Sequence, residues 1–263
     1  MPLSNREEDF NALIQEGLRI VSEAQKEGIL LRILGGCGLY IRMLNHRIKH
    51  DSLFRSMKRV PKDIDFVTYS KYRPKIEDFM MKMGYYADKN VMVLTRSTRH
   101  IYHSKEHRWH VDVIFDKAEF CHTINYKGLL EIDSPTVPLA ELLLQKMQIV
   151  EINEKDLKDI ILLLAEYDFG ESDDDETINT RRIAKTLAKD WGFYYTFTLN
   201  AIKVKKYIED SKEILLEDKN YLSQKIDTLV KIIENEPKTM KWKMRSIIGA
   251  KKKWYKTVEE VFR

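Results

Sequence analysis

The sequence predicts an α/β (α+β) protein: a mixed sheet with flanking helices, followed by an all-helical C-terminal part. Three observations carry this. Short β-branched and aromatic runs alternate with helical patterns up to about Pro135. Beyond Pro138 the apolar spacing is helical almost throughout. Charge divides along the chain too: from Arg181 onward 20 basic residues stand against 11 acidic ones, although the 263 residues together carry only +4. The expected domains are 1–135 and 136–263.

Residues 5–27 place Phe10, Leu13, Ile14, Leu18, Ile20 and Val21 near one helical stripe, with Ser4 as N-cap and Gly28 as the stop. Residues 29–34 are a short apolar run into Gly35-Gly36, as in a buried strand entering a tight turn. A helical pattern resumes over 39–48. After a break at Pro61, residues 64–69 read as a second strand. Pro74 opens a helix over 74–83 that Gly84 stops. Residues 91–94, 100–103 and 109–115 read as strands of a meander, extended by 120–124 and 129–132. Past the prolines, 139–150 and 154–167 have helical spacing. Residues 168–176 hold six carboxylates in nine positions and read as a solvated loop before a helix N-terminus. The remainder, 178–263, reads as several helices, with no internal repeat or low-complexity tract.

Composition excludes several classes. With 43% hydrophobic and 33% charged residues the chain is globular, not disordered. No stretch reaches the ~18–20 apolar residues of a membrane span. Arg6, Glu7, Glu8 and Asp9 stand where a signal peptide needs an apolar core. Cys37 and Cys121 are too few for a disulfide framework or a cysteine-rich zinc site, so the expected setting is a reducing cytoplasm.

The chemistry lies in the acids. In Lys62-Asp63-Ile64-Asp65-Phe66-Val67 two carboxylates stand at i and i+2 of a strand, which points both to one face. Asp112 sits among β-branched residues in Val111-Asp112-Val113-Ile114 on a later strand. A strand acid in such company is costly unless paired or bound to a cation. Three carboxylates from two strands make an oxygen-rich site for a hard cation such as Mg²⁺, and two such ions can clamp an in-line phosphoryl displacement. Upstream, Gly35-Gly36-Cys37-Gly38 is a strand-to-helix turn of the kind that brings backbone N–H groups close to phosphate, though glycines also serve ordinary tight turns.

The ordered set of strand, Gly-Gly, helix, Asp-x-Asp strand and single-Asp strand resembles the nucleotidyltransferase superfamily, with its polymerase beta-like fold. It is most similar to the branch of AbiEii-type abortive-infection toxins and their uncharacterised bacterial and archaeal relatives. The resemblance covers about residues 30–167. It implies transfer of a nucleoside monophosphate from an NTP to an acceptor hydroxyl, with two Mg²⁺ ions held by the catalytic and metal residues Asp63, Asp65 and Asp112. Gly35, Gly36 and Lys62 would meet the nucleotide. A later helix lysine is matched by Lys146, and an aspartate after it by Asp156 or Asp159. The stretch 45–62 between Gly36 and the acids is longer than in compact members and strongly basic. The implied acceptor is RNA, tRNA first, with an antitoxin protein as a further partner and no membrane. A small-molecule (antibiotic) acceptor, and a non-catalytic nucleotide- or RNA-binding protein of the same fold, stand as alternatives.

His100, His103, His107 and His110 cluster without regular ligand spacing or a nearby cysteine, against a zinc site. Cys37, at a helix start with no partner base, reads as a packed small residue. Residues 237–256 carry eight basic residues and no acid, interleaved with Trp242, Trp254 and Tyr255. Lys241, Lys243, Arg245, Lys251, Lys252 and Lys253 are thus candidate RNA contacts, with a solvated helix over packed aromatics as the plainer reading.

Overall fold

The computed structural model describes residues 3–45, 63–107, 109–174 and 176–257, with side chains in the first stretch from 11 to 43. Helix α1 (Leu3–Lys26) buries Leu13, Ile14, Ile20 and Val21. Strand β1 (Leu31–Leu34) runs directly into α2 (Gly35–Asn45), so the two glycines are the first helical residues. Then come β2 (Ile64–Thr68), α3 (Arg73–Lys82), β3 (Tyr85–Ala87), α4 (Lys89–Leu94), β4 (Arg99–Ser104) and β5 (His110–Phe115). They form a five-stranded mixed sheet in the order β1-β2-β5-β4-β3. Only β2 and β5 pair in parallel; their other neighbours in the sheet are antiparallel. The long crossover through α3, β3, α4 and β4 permits that parallel pairing.

Two-residue alternation sorts the sheet's faces. Ile33, Ile64, Phe66, Tyr102, Val111 and Val113 lie in one apolar cluster with α1 and α3. Leu34, Val67 and Ile114 look the other way, into a second cluster with Leu39 of α2. A hairpin follows, β6 (Lys117–Glu119) and β7 (Thr123–Asn125). Residues 135–137 then run along the free edge of β1: Ile33 N donates to Pro135 O, and Val137 N to Ile33 O, each at 2.9 Å. This edge pairing aims α5 (Leu139–Met147) across the acid-bearing face, and α6 (Glu154–Glu166) packs beside it. Beyond a short parallel pair, β8 (Asp168–Gly170) with β9 (Thr177–Asn179), come α7 (Thr180–Leu187), α8 (Trp191–Asp210), α9 (Leu216–Asn235) and α10 (Met240–Ile248). Among the described residues, no helix is long and apolar enough to cross a membrane.

Three local readings need correction. Residues 91–94 are the end of helix α4, not a strand, because the Asp88 carboxylate accepts from Asn90 N and Val91 N and caps a helix there. Residues 129–132 form turns rather than a strand. The acidic loop is bracketed by β8 and β9, and two of its acids are engaged: Asp174 accepts from Thr177 N and Glu176 N, and Asp173 pairs with Arg182.

Candidate active site

The parallel register of β2 and β5 sets Asp65 beside Asp112. Residues so paired project to one side of the sheet, here the side covered by α2, α5 and α6. The side chain of Asp112 is 4% exposed. Burying an uncompensated charge costs several kcal/mol, more than the ~1.5–3 kcal/mol that an apolar side chain contributes at such a position. An acid there is not explained by packing.

Asp63 precedes β2 by one residue and by alternation belongs to the same face. It is the exposed member, with its Oδ1 3.3 Å from His110 Nδ1. Gly35 closes over the other end. Its φ is +66°, a conformation that favours glycine, and a side chain there would run into the Asp65 carboxylate. Gly35 N donates to Gln145 Oε1 at 2.9 Å, and Gln145 Nε2 donates to the hydroxyl of buried Tyr126 at 2.7 Å. Gln145 therefore clamps the glycine turn to α5, and in this state it occupies the Gly35 donor. Gly36 stands in the first turn of α2, where backbone N–H groups lack helical acceptors.

Both buried acids bind protons more tightly than usual. For Asp65 the main cause is burial, followed by the charges of Asp112 and Asp63; Arg99 and Lys146 oppose it. Asp112 is likewise raised by burial, against the pull of Arg99 and His110. Arg99, on β4, donates from Nε to Asp112 Oδ2 at 2.7 Å. Asp112 Oδ1 is buried with no hydrogen-bond partner, and Asp65 has no hydrogen bond or ion pair among the described residues. Two adjacent carboxylates with free lone pairs and no soft donor fit a hard divalent cation. Among the described residues, no three His, Cys, Asp or Glu side chains are gathered closely enough to enclose an ion; Asp63 is turned to His110 and Asp112 to Arg99.

Lys146 is buried on α5, and its ammonium lies 2.9 Å from Asp156 Oδ1 and 2.8 Å from Asp159 Oδ2. Both candidate late aspartates thus converge on this one lysine, whose charge is felt at Asp65. Lys62 lies outside the described residues. Cys37 is fully buried, and burial together with the Asp65 charge pushes its thiol far up, which leaves it unreactive. The histidines divide between environments. His100 is buried on the opposite face beside Tyr102 and Phe115, and burial lowers it to about 4. His103 and His110 share the acid-bearing face, and His107 stacks on Trp109.

In the C-terminal segment Lys241, Lys243, Lys251, Lys252 and Lys253 are exposed. Arg245 instead lies over the Trp191 ring and donates to the carbonyls of Gly249 and Lys252. The aromatic rings also turn inward: Trp242 packs edge-on to Tyr194, and Trp254 Nε1 donates to Thr196 Oγ1 at 3.0 Å. Beside Lys241 and Lys243, α10 also presents Met240, Met244, Ile247 and Ile248 outward.

Arg99 and Gln145 are not among the residues that the sequence pattern marks. Each acts across a long sequence separation, 13 residues to Asp112 and 110 to Gly35, and no local spacing marks them.

No family model matches this sequence, and no curated protein matches it. Among solved structures, the chain is similar to the antibiotic-resistance factor ANT(2'')-Ia, with a TM-score of 0.40 and 11% identity, over 59% of this chain and 83% of that one. At that level of likeness the functional reading rests on the geometry of the site itself.

Proposed function

We propose that this protein is a metal-dependent nucleotidyltransferase that moves a nucleoside monophosphate from an NTP to an acceptor hydroxyl. The observation that carries the proposal is the in-register pair Asp65 and Asp112, with free carboxylate oxygens under the Gly35 turn. Asp65 and Asp112 would hold a divalent cation, Mg²⁺ first, and Asp63 would swing from His110 to complete a second position. The cations would neutralise the triphosphate and polarise the reacting oxygens. The first turn of α2 would receive phosphate at the Gly36 N–H, and Gly35 would do so once Gln145 lets go. Lys146, held between Asp156 and Asp159, adds positive potential behind the acids. In the reaction the bond from the α-phosphorus to pyrophosphate breaks as one to the acceptor oxygen forms. The hydroxyl proton would pass to Asp112 Oδ1, which has no hydrogen-bond partner among the described residues.

RNA is the proposed acceptor class on the basic excess after Arg181 and the exposed lysines of 241–253, and tRNA comes first through the family resemblance. A toxin role with an antitoxin partner follows from the family resemblance alone. The test is incubation with each α-labelled NTP, Mg²⁺ and total cellular RNA. Label should enter RNA with an equal amount of pyrophosphate released, and Asp65→Asn should abolish both. Labelling that survives in that variant, or that ignores removal of divalent cations, would refute the proposal.

A further inference from the structure

Among the described residues, Arg99 is the one direct partner of the acid pair, and a transfer reaction gives it no evident role. It reaches Asp112 diagonally from the neighbouring strand, since the β4–β5 register sets Ile101, not Arg99, opposite Asp112. Both its Nε and a terminal nitrogen engage the same oxygen, Oδ2. The two ends of this ion pair differ in access to water: the Asp112 side chain is 4% exposed, that of Arg99 32%. The acid is fixed in the sheet, and the cation is the end that can leave. Nearby Lys146 cannot replace it, because its ammonium is held by Asp156 and Asp159.

Two things need a positive charge at this point. Without metal, Asp65 and Asp112 are like charges side by side in a poorly solvated place, and their repulsion must be offset. With metal, Asp112 must offer oxygen to an ion that sits ~2.1 Å from its ligands. A guanidinium already seated on Oδ2 would repel that ion and occupy part of its approach.

We propose that Arg99 is a displaceable counter-cation: it neutralises Asp112 while no metal is present and gives up Oδ2 when a divalent ion reaches the acid pair. The proposal rests on the metal-dependent reading above. It makes Arg99 a positioning residue that acts through Asp112, and it fixes the sign of an effect. If Arg99 merely aimed Asp112, its loss would weaken metal binding. As a competitor, its loss strengthens binding. A partly exposed, charge-assisted pair of this kind contributes enough that its removal is expected to tighten binding about tenfold.

The experiment is a Mn²⁺ titration of the full chain without nucleotide, with free Mn²⁺ followed by electron paramagnetic resonance. Wild type, Arg99→Gln, Arg99→Lys and Asp65→Asn are compared, with metal-free thermal unfolding alongside. Arg99→Gln should bind Mn²⁺ about tenfold more tightly than wild type, melt at a lower temperature without metal, and gain more from added Mn²⁺. Arg99→Lys should fall between the two, and it keeps the test available if the glutamine variant fails to fold. Asp65→Asn should lose the site. Equal or weaker binding in the Arg99 variants, with Asp65→Asn still deficient, overturns the counter-cation while leaving the metal site standing. Wild-type affinity in Asp65→Asn overturns the metal reading itself.

Discussion

Replacing Gly35 by alanine tests whether the glycine turn and the acid pair are one structure. Two costs add at this position. A φ of +66° costs an L-residue ~1–2 kcal/mol. The new Cβ also meets the Asp65 carboxylate, which must leave its rotamer at ~0.5–1.5 kcal/mol. Gly28 separates the two, because its φ is +69° yet nothing lies within 4 Å of a Cβ added there. Gly28→Ala should therefore cost only the backbone share. Gly35→Ala should cost roughly 2–3 kcal/mol, a fall of about 4–12 °C in melting temperature for a chain of this size. In an Asp65→Ala background the collision disappears, and Gly35→Ala should shrink to the cost of Gly28→Ala. The assay is thermal unfolding of the four-member cycle without metal. If Gly35→Ala costs the same with and without the Asp65 side chain, the carboxylate does not rest on the turn and the site as described is wrong.

Lys146→Met should destabilise the fold by up to about 3 kcal/mol in denaturant melts, because Asp156 and Asp159 lose a buried shared cation; stability at wild-type level would show that Lys146 is not their counter-charge. Glu141 is pushed up to about 7, chiefly by burial. Its folded-state proton affinity exceeds the unfolded one, so stability should fall as pH rises from about 4.5 to 7, by at most roughly 3 kcal/mol, and Glu141→Gln should flatten that fall. Urea melts from pH 5 to 8 decide it, an unchanged slope in the variant being the contrary result. Replacing Lys251, Lys252 and Lys253 by Gln should lower the log–log salt dependence of RNA binding by ~0.7 per lost single-strand phosphate contact, whereas Arg245→Gln should change stability more than the salt slope. Identical slopes for the lysine variant and wild type would remove this segment from the RNA reading.

What the sequence made legible is what depends on periodicity. The two-residue spacing of Asp63 and Asp65, with Ile64 and Phe66 between, gives their shared side directly, and both apolar residues are buried on the opposite one. The Gly35-Gly36 break marks the strand-to-helix junction, though not that the helix starts on the glycines themselves. Residues 91–94 read as a strand because Val91 and Val93 are β-branched; the cap at Asp88 outweighs that preference. Segments β8 and β9 have three residues each, too short to show a period, and their pairing depends on the turn that Asp174 closes. The pairing of Asp65 with Asp112 needs the β2–β5 register, and the ion pair of Arg99 needs β4 beside β5. Such contacts arise from topology, which no local pattern encodes. The interleaved aromatics of 242–255 illustrate the converse: their spacing suits base stacking, but Tyr194, Tyr195 and Thr196 of α8 draw the rings inward.

The proposed function stands on Asp65 and Asp112 holding a divalent cation between them for nucleotide chemistry. The most direct measurement is an anomalous difference map from crystals grown with Mn²⁺ and a non-hydrolysable NTP analogue. The expected result is a Mn²⁺ peak bound by carboxylate oxygens of both Asp65 and Asp112, with the analogue's phosphates beside the first turn of α2 and the Arg99 guanidinium moved off Asp112 Oδ2. A peak elsewhere, or nucleotide bound with Arg99 still seated on Asp112 and no metal between the two acids, would contradict it.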